Sequence, residues 1–197
     1  GGVLTGPPFA GVHAYEERMA LPAGSVARYF RGDPVMHRLE RGEITAREFF
    51  KSVGTRVYEA HGVRVDLREL AAATESAAEL NPAALALVRE LHGRYALALL
   101  TNNAAEASVW RAQLPHELFD VIVDSSAVQL RKPDPRIYEL VLDRLGRPAS
   151  EVVFVDDFDE NLPPAAELGM AVIPFENVEQ CRKALVALGV ELAVITS

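Results

Sequence analysis

Residues 151–157 read Glu-Val-Val-Phe-Val-Asp-Asp, and this stretch decides the fold that the rest of the sequence is expected to adopt. Its run of apolar, mostly β-branched residues indicates a strand buried on both faces, as found inside parallel sheets. In open α/β sheets, ligands bind at the carboxyl ends of the strands. Asp156 and Asp157 would repel each other there and are costly to desolvate, so a divalent cation or a lysine is their natural partner. The stretch therefore predicts half of a magnesium site.

The sequence from Asn81 onward alternates between helical and strand-like patterns. Asn81 and Pro82 supply a helix cap and a first-turn proline. The predicted helices cover residues 83–91, 104–113, 135–145 and 178–188, with a shorter one ending at 168, and the predicted strands cover 95–100, 121–124, 152–155 and 170–174. Such alternation predicts βαβ units, and hence an α/β fold in which a parallel sheet carries helices on both faces. The apolar run at 192–195 has no predicted place in it.

Residues 10–79 show helical patterns and almost no strand-like run. Thr45 is placed to cap a helix, with Glu48 three residues further on. The apolar residues around this cap recur at spacings of three and four, as one stripe on a helix: Ile44, Phe49, Phe50, Val53 and Val57. Residues 67–80 are rich in alanine, which favours a further helix. The pattern predicts a helical subdomain that follows a loop rich in glycine and proline at residues 1–8.

The amino-acid composition argues against several kinds of partner and of site. The formal charge of −8 argues against nucleic acid or an anionic membrane as the main partner, but it is compatible with a local cationic pocket for a phosphorylated substrate. No apolar run approaches the ~20 residues needed to span a bilayer. The single cysteine, Cys181, excludes an internal disulfide and a cysteine-rich zinc site. Because no signal peptide is visible either, we expect a cytoplasmic protein.

Three polar features are expected at one edge of the predicted sheet. Thr101 and Asn102 follow one strand, Lys132 precedes the helix at 135, and Asp156 and Asp157 end another strand. On a right-handed doubly wound sheet, the three loops that carry them converge. A hydroxyl with free backbone amides, an ammonium group and a metal-holding carboxylate pair are the groups that phosphoryl transfer requires. A nucleophile is missing from this set.

The order of these residues resembles motifs II, III and IV of the haloacid dehalogenase-like (HAD) superfamily. The matching residues are Thr101, the sequence Lys-Pro-Asp-Pro at 132–135, and the acidic pair at 156–157, while Gly-Gly-Val-Leu at 1–4 resembles the tail of motif I. The sequence around the lysine and the acidic pair is most similar to the branch that contains the N-terminal phosphatase domain of soluble epoxide hydrolase.

The resemblance implies a Rossmann-like, HAD-like architecture made of two domains. Residues 1–9 and 81–197 would form the α/β core, whose first strand would lie before Gly1, and residues 10–80 would form an inserted α-helical cap. Thr101 and Asn102 would bind phosphate, and Lys132 would stabilise the phosphate and the nucleophile. Asp156 would support Lys132 or a water on the metal.

The resemblance also implies a metal site and a nucleophile. Asp157 and the backbone carbonyl of Gly1 would hold Mg²⁺, and Asn161 would orient the groups around the metal. The nucleophilic aspartate of the family would lie two positions before Gly1, and the usual general acid/base falls on Gly1 itself. A water on the metal, or a cap residue such as His13 or Glu16, would then have to deprotonate the attacking water.

By this resemblance the protein is a magnesium-dependent phosphatase that hydrolyses a small phosphorylated metabolite through an aspartyl-phosphate. Three alternatives stay open, of which a phosphomutase ranks lowest because it would need an acid/base at Gly1. A metal-free haloacid dehalogenase of the same superfamily typically has Ser and Asn in place of the acidic pair. A non-catalytic HAD-like binding domain would account for Gly1 and for the missing nucleophile. The substrate is not identified, and the oligomeric state is open, a homodimer included.

Overall fold

The structure, a computed structural model, describes residues 2–6, 9–76 and 79–192. Gly1 and most of the apolar run at 192–195 fall outside the described residues. Helices precede all the strands of the α/β part. The helices before residue 77 are α1 (Ala10–Arg18), α2 (Pro34–Glu40), α3 (Ala46–His61) and α4 (Leu67–Ser76).

The predicted start of α3 is confirmed. The Thr45 hydroxyl accepts a hydrogen bond from the Glu48 amide at 3.2 Å, and the Glu48 carboxylate accepts one from the Thr45 amide at 2.8 Å. This reciprocal arrangement is a capping box. The predicted apolar stripe buries Phe49, Val53 and Val57, and α3 packs against α2 and α4, while α1 packs against α4. The four helices therefore share one hydrophobic core.

The second part of the chain alternates helices with strands, as the sequence predicts. Its helices are α5 (Pro82–Leu91), α6 (Ser108–Gln113), α7 (Ser125–Val128), α8 (Pro135–Leu145), α9 (Leu162–Glu167) and α10 (Val178–Ala187). Its strands are β1 (Ala98–Thr101), β2 (Val121–Asp124), β3 (Val153–Asp156) and β4 (Ala171–Pro174). The predicted bounds of β2 and α8 are confirmed. No helix in the described ranges is long and apolar enough to cross a bilayer.

β3 and β4 begin one residue later than predicted, whereas β1 and α6 begin three or more residues later because side chains occupy their backbone groups. β1 begins at residue 98 rather than 95, since the Leu97 amide donates to the Asp120 carboxylate at 2.8 Å instead of to a neighbouring strand. α6 begins at residue 108 rather than 104. The carbonyls of Ala104 and Ala105 accept hydrogen bonds from the Arg111 guanidinium, at 3.1 and 2.6 Å. The Ala104 carbonyl also accepts from the Ala107 amide at 3.1 Å, three residues on, which is the pattern of a turn and not of an α-helix.

The described strands form two parallel pairs, β1 with β2 and β3 with β4. Side chains alternate along β3 and the residue before it: Val152 and Phe154 pack with α8 and α9, and Val153 and Val155 pack with α5 and α10. Parallel strands with helices on both faces are therefore confirmed. The predicted full burial of β3 is wrong, because its apolar residues are only half-buried. In the described part of the chain, β3 is paired along one edge only.

A cavity of about 1040 Å³ is lined by residues of both strand pairs, and we call it the inter-strand cavity. Residues 98–101 line it from β1, and residues 153–156 line it from β3. At the carboxyl ends of these strands the cavity reaches Thr101 and Asp156. It therefore ends where the sequence predicts ligand binding.

Candidate active site

The carboxyl end of β3 brings the predicted lysine and one predicted acid together. Asp156 is the last residue of β3, and Lys132 reaches it from the loop before α8, whose first turn is capped by the Asp134 side chain. Lys132 Nζ lies 2.6 Å from Asp156 Oδ2 and donates to the Leu100 carbonyl at 3.2 Å. The two charged residues are only 7% and 3% exposed. Because water cannot solvate them, each charge depends on its partner.

Asp156 is held in one orientation by further donors. Its Oδ1 accepts hydrogen bonds from the Phe158 amide at 2.9 Å and from Asn161 Nδ2 at 2.8 Å. The Asn161 carbonyl in turn accepts from the Tyr138 hydroxyl at 2.7 Å. Burial raises the pKa of Tyr138, which keeps this hydroxyl protonated as a donor. The side-chain amide of Asn161 therefore acts on Asp156, and through it on Lys132.

Asp157 lies in a different environment from its neighbour. Burial raises the pKa of Asp157, and the charge on Asp156 raises it further, while Lys132 acts in the opposite direction. Gly2 packs directly against this carboxylate: a Cβ added at Gly2, whose φ is +76°, would overlap the Asp157 side chain. Glycine at this position therefore permits both the backbone conformation and the close approach.

The donor set at Asp157 fits magnesium better than a metal that needs several side-chain ligands. In residues 2–6, 9–76 and 79–192, no group of three or more His, Cys, Asp or Glu side chains is placed to hold a metal ion. Magnesium commonly binds through one or two carboxylates, with waters and substrate oxygens as its other ligands. A divalent cation would favour the ionised form of Asp157, which burial and Asp156 disfavour. The carbonyl of Gly1 lies outside the described residues.

Thr101 and Asn102 contribute to the same end of the cavity in different ways. Thr101 is the last residue of β1, is 7% exposed, and lines the cavity. The Asn102 side chain binds the backbone of Lys132 twice: Nδ2 donates to its carbonyl at 3.0 Å, and Oδ1 accepts from its amide at 2.8 Å. This side chain therefore holds the Lys132 loop, and the predicted contact of Asn102 with phosphate would have to use its backbone amide.

A second buried ion pair lies beside Lys132 and was not predicted. Glu40, at the end of α2, is 8% exposed, and its Oε2 lies 2.6 Å from Arg131 Nε. Burial raises the pKa of Glu40, and the charges of Arg131 and Lys132 act against this rise. No pattern in the sequence signals the pair, because its members are 91 residues apart.

The predicted acid/base role of Glu16 does not fit its surroundings. Its Oε1 accepts hydrogen bonds from the amides of Val26 and Ala27 at 2.6 and 2.8 Å, and its Oε2 accepts from Gly24 at 2.9 Å. Burial acts to raise the pKa of Glu16, but these hydrogen bonds outweigh it, so that the pKa is lowered. Glu16 therefore orders the turn after α1. His13, the other predicted candidate, is half-exposed and lies 3.2 Å from Glu16.

Comparison with known proteins relates these motifs to a family. A sequence model of the haloacid dehalogenase-like hydrolases matches residues 7–169. The chain is 34% identical over 175 residues to bifunctional epoxide hydrolase 2 of Sus scrofa, in an alignment that covers 80% of this chain and 32% of that protein. It is 32% identical to acyl-CoA dehydrogenase family member 10 of Mus musculus, over 95% of this chain and 18% of that protein. It is also 30% identical to a sesquiterpene phosphatase of Aspergillus oryzae, over 68% of both proteins.

Solved structures share the fold of this chain. A HAD-like family hydrolase of Porphyromonas gingivalis superposes with a TM-score of 0.73 at 20% identity, covering 97% of this chain and 95% of that one. A HAD family enzyme of Bacteroides thetaiotaomicron, crystallised with magnesium and inorganic phosphate, gives 0.67 at 24% identity, over 89% and 90%. The predicted HAD-like α/β fold and the resemblance to epoxide hydrolase are confirmed. The chain spans a third or less of the length of the epoxide hydrolase and of the acyl-CoA dehydrogenase family member. It belongs to the haloacid dehalogenase-like hydrolase family.

Proposed function

We propose that this HAD-like hydrolase is a magnesium-dependent phosphatase that acts on a small phosphorylated metabolite through an aspartyl-phosphate intermediate. The observation that carries the proposal is the buried Lys132–Asp156 pair next to the Asp157 carboxylate, at the end of the cavity that Thr101 lines. An ammonium group beside a carboxylate that favours a divalent cation suits a phosphoryl group. A relative named as a phosphatase and a similar structure that holds magnesium and phosphate point in the same direction.

In this proposal, each residue that lines the end of the cavity has one role. Lys132 uses two of its three ammonium protons on Asp156 and Leu100, and the third would bind the phosphate and the nucleophile. Asp156 would keep the Lys132 amine in place. The Thr101 hydroxyl and the backbone amide of Asn102 would hold the phosphate oxygens.

Asp157 would bind Mg²⁺ together with the carbonyl of Gly1. When bound, magnesium neutralises negative charge that develops on the transferred phosphoryl group. Asn161 would act on this site indirectly, since its amide fixes the Asp156 carboxylate next to Asp157. The contact between the Gly2 backbone and Asp157 supports a ligand set that combines this carboxylate with the start of the chain.

The nucleophile in this proposal is an aspartate two positions before Gly1, on a strand between β1 and β3. Among the described residues, β1 and β3 each pair along one edge, and the inter-strand cavity is lined by both strands. Because Gly2 contacts Asp157 at the carboxyl end of β3, a strand that leads to Gly1 would run through this cavity. Its carboxylate would then lie beside Lys132. Gly1 cannot transfer a proton, so another group would serve as the general acid/base.

Residues 10–80 would act as the cap that selects the substrate. Residues of this part line the cavity together with the site residues, among them Phe30, Arg31, Met36, His37 and Glu40. Arg31 also binds Glu160 of the α/β part at 3.2 Å and lies over the Phe158 ring, next to Asp157. A substrate that enters the site would therefore contact both parts of the chain.

The test uses the protein with an aspartate two positions before Gly1 and a panel of phosphorylated metabolites, with magnesium or with a chelator. We expect phosphate release that requires magnesium and that falls by at least ~100-fold in Lys132→Met and in Asp157→Asn. Lys183→Met, at an exposed site, is the control. Chelator-resistant hydrolysis of a haloacid would favour the dehalogenase instead. Absence of both hydrolysis and magnesium binding would favour the non-catalytic domain.

A further inference from the structure

The loop that carries Lys132 is held at three points, and one of them comes from the helical part of the chain. Asn102 binds the Lys132 backbone, and Asp156 binds its amine. The third contact is the Glu40–Arg131 ion pair, which fixes the residue directly before Lys132. Glu40 is the last residue of α2, so the position of this helix is linked to the position of the Lys132 loop.

Glu40 is also linked to the loop after β1, through Ser125. Its backbone carbonyl accepts a hydrogen bond from the Ser125 hydroxyl at 2.5 Å. The oxygen of that hydroxyl accepts from the Asn103 amide at 2.9 Å. Ser125 is fully buried, and α2 packs against α7, the short helix that Ser125 begins. One residue therefore reaches both loops of the candidate site: the loop after β1 through Ser125, and the Lys132 loop through Arg131.

The Glu40–Arg131 contact is stronger than an ordinary surface ion pair. The two side chains are only 11% and 17% exposed, and the 2.6 Å contact is a charge-assisted hydrogen bond. Loss of the carboxylate would leave the Arg131 guanidinium buried without its partner, and the loop would have to move to solvate it. Since Arg131 and Lys132 are adjacent, that movement would shift the amine away from Asp156.

We propose that Glu40 is a positioning residue, which sets the place of the Lys132 amine through Arg131 and so couples α2 to the phosphate site. The proposal rests on the proposed function only for the role of Lys132 in catalysis. The placement of the amine itself is measurable without any activity. Glu40 does not contact the reacting atoms in this scheme, which distinguishes it from a general acid/base.

The reactivity of Lys132 toward an amine-acylating reagent measures its placement. The chain contains three lysines, and Lys51 and Lys183 are exposed, so they act as internal standards when labelling is followed by mass spectrometry. We expect Glu40→Ala to raise the labelling rate of Lys132 about tenfold relative to the two standards, within the range of coupling between contacting residues. Glu40→Gln, whose amide oxygen can still accept from Arg131, should raise it less than about threefold.

The matched control is Glu43→Ala, because Glu43 lies three residues further along and forms exposed ion pairs with Arg41 and Arg38. It should leave Lys132 labelling unchanged. Equal reactivity of all three lysines would show that Glu40→Ala does not fold. In that case Glu40→Asp, whose shorter side chain withdraws the charge from Arg131, is used in its place and should also raise the labelling rate of Lys132. Unchanged Lys132 labelling in folded Glu40→Ala, or in Glu40→Asp, would overturn the proposal.

Turnover of a phosphomonoester by the protein that carries the upstream aspartate distinguishes positioning from proton transfer. We expect Glu40→Ala to lower kcat about tenfold, Glu40→Gln to restore most of it, and the pH profile to keep its shape. Glu40→Gln that is as inactive as Glu40→Ala, with one limb of the pH profile lost, would instead make Glu40 the acid/base and refute the positioning role. If the labelling results are as expected but the wild type does not turn over the phosphomonoester, the phosphatase proposal fails while the link between Glu40 and Lys132 stands.

Discussion

Asp156 and Asp157 are adjacent at the end of β3, but their carboxylates have different surroundings. Asp156 receives hydrogen bonds from Lys132, Phe158 and Asn161, which hold its carboxylate in one orientation. For Asp157, burial and the neighbouring charge raise the pKa. One carboxylate therefore belongs to the framework that holds the lysine. The other has a charge that the metal-free protein stabilises poorly, which is what a cation ligand needs.

Lys132→Met tests the buried pair. The substitution leaves Asp156 buried without its cation, so we expect the free energy of unfolding to fall by about 3–5 kcal/mol, measured by urea denaturation. The double variant Lys132→Met/Asp156→Asn should recover much of this loss because no unpaired charge is left. Lys183→Met, at an exposed pair, should change stability by no more than about 0.5 kcal/mol. Equal effects at the two lysines would contradict the buried pair.

Asp157→Asn tests the metal site by stability rather than by activity. At pH 7 and without metal, this variant should be more stable than the wild type, because the ionised Asp157 is disfavoured by burial and by Asp156. Magnesium at 100 times its Kd should stabilise the wild type by about 2.7 kcal/mol and should leave the variant nearly unchanged. Asp159→Asn, an exposed acid two residues further on, is the control. A magnesium shift that survives in Asp157→Asn would place the metal elsewhere.

At the scale of elements, local signals predicted the boundaries that local contacts create. β2 and α8 were predicted to the residue, since α8 has a proline in its first turn and Gly146 in a left-handed conformation at its end. The starts of β1 and α6 were wrong because Asp120, 23 residues after Leu97, and Arg111, within α6 itself, bind backbone groups of these segments. Propensity and periodicity contain no information about such contacts.

In the candidate site, too, some contacts could be predicted from the sequence and others could not. Lys132 and Asp156 were predicted to meet because both follow or precede elements whose ends share one edge of the fold, and they lie 2.6 Å apart. The role of Glu40 depends on how α2 packs against the α/β part, and Glu40 resembles many other helical glutamates in sequence. The hydrogen bonds from three backbone amides to Glu16 could likewise not be predicted, because they depend on the conformation of the turn at 24–27.

Glu16→Gln tests how the turn after α1 is held. Hydrogen bonds lower the pKa of Glu16 below its usual 4.5, so its contribution to stability is present above that pH and is lost as the pH falls through the lowered value. We expect the variant to lose about 2 kcal/mol at pH 7 in urea denaturation, since hydrogen bonds to a charged acceptor are replaced. The difference from the wild type should shrink toward pH 3. Glu17→Gln, at the exposed next residue, should show neither effect, and a pH-independent loss would refute the role of the charge.

At the scale of the whole molecule, the two parts of the chain meet at the candidate site. α2 packs against α7, Glu40 binds Arg131, and Arg31 binds Glu160. Arg131 and Glu160 both line the inter-strand cavity. The α/β part itself is divided by that cavity, with β1 and β2 on one side and β3 and β4 on the other. The site residues therefore come from three blocks, and their relative placement depends on what fills the space between the strand pairs.

A designed strand tests this dependence. We would extend the chain before Gly1 by a short apolar strand with aspartate two positions before Gly1, and follow amide hydrogen exchange. Amides of β1 and β3 that face the cavity should exchange about 100-fold more slowly than in the unextended chain, because a central strand would pair with both. The same extension with proline in its middle cannot complete the ladder and should give little protection. Equal exchange in the two extended proteins would mean that no strand pairs there, and the nucleophile would have to reach Lys132 by another route.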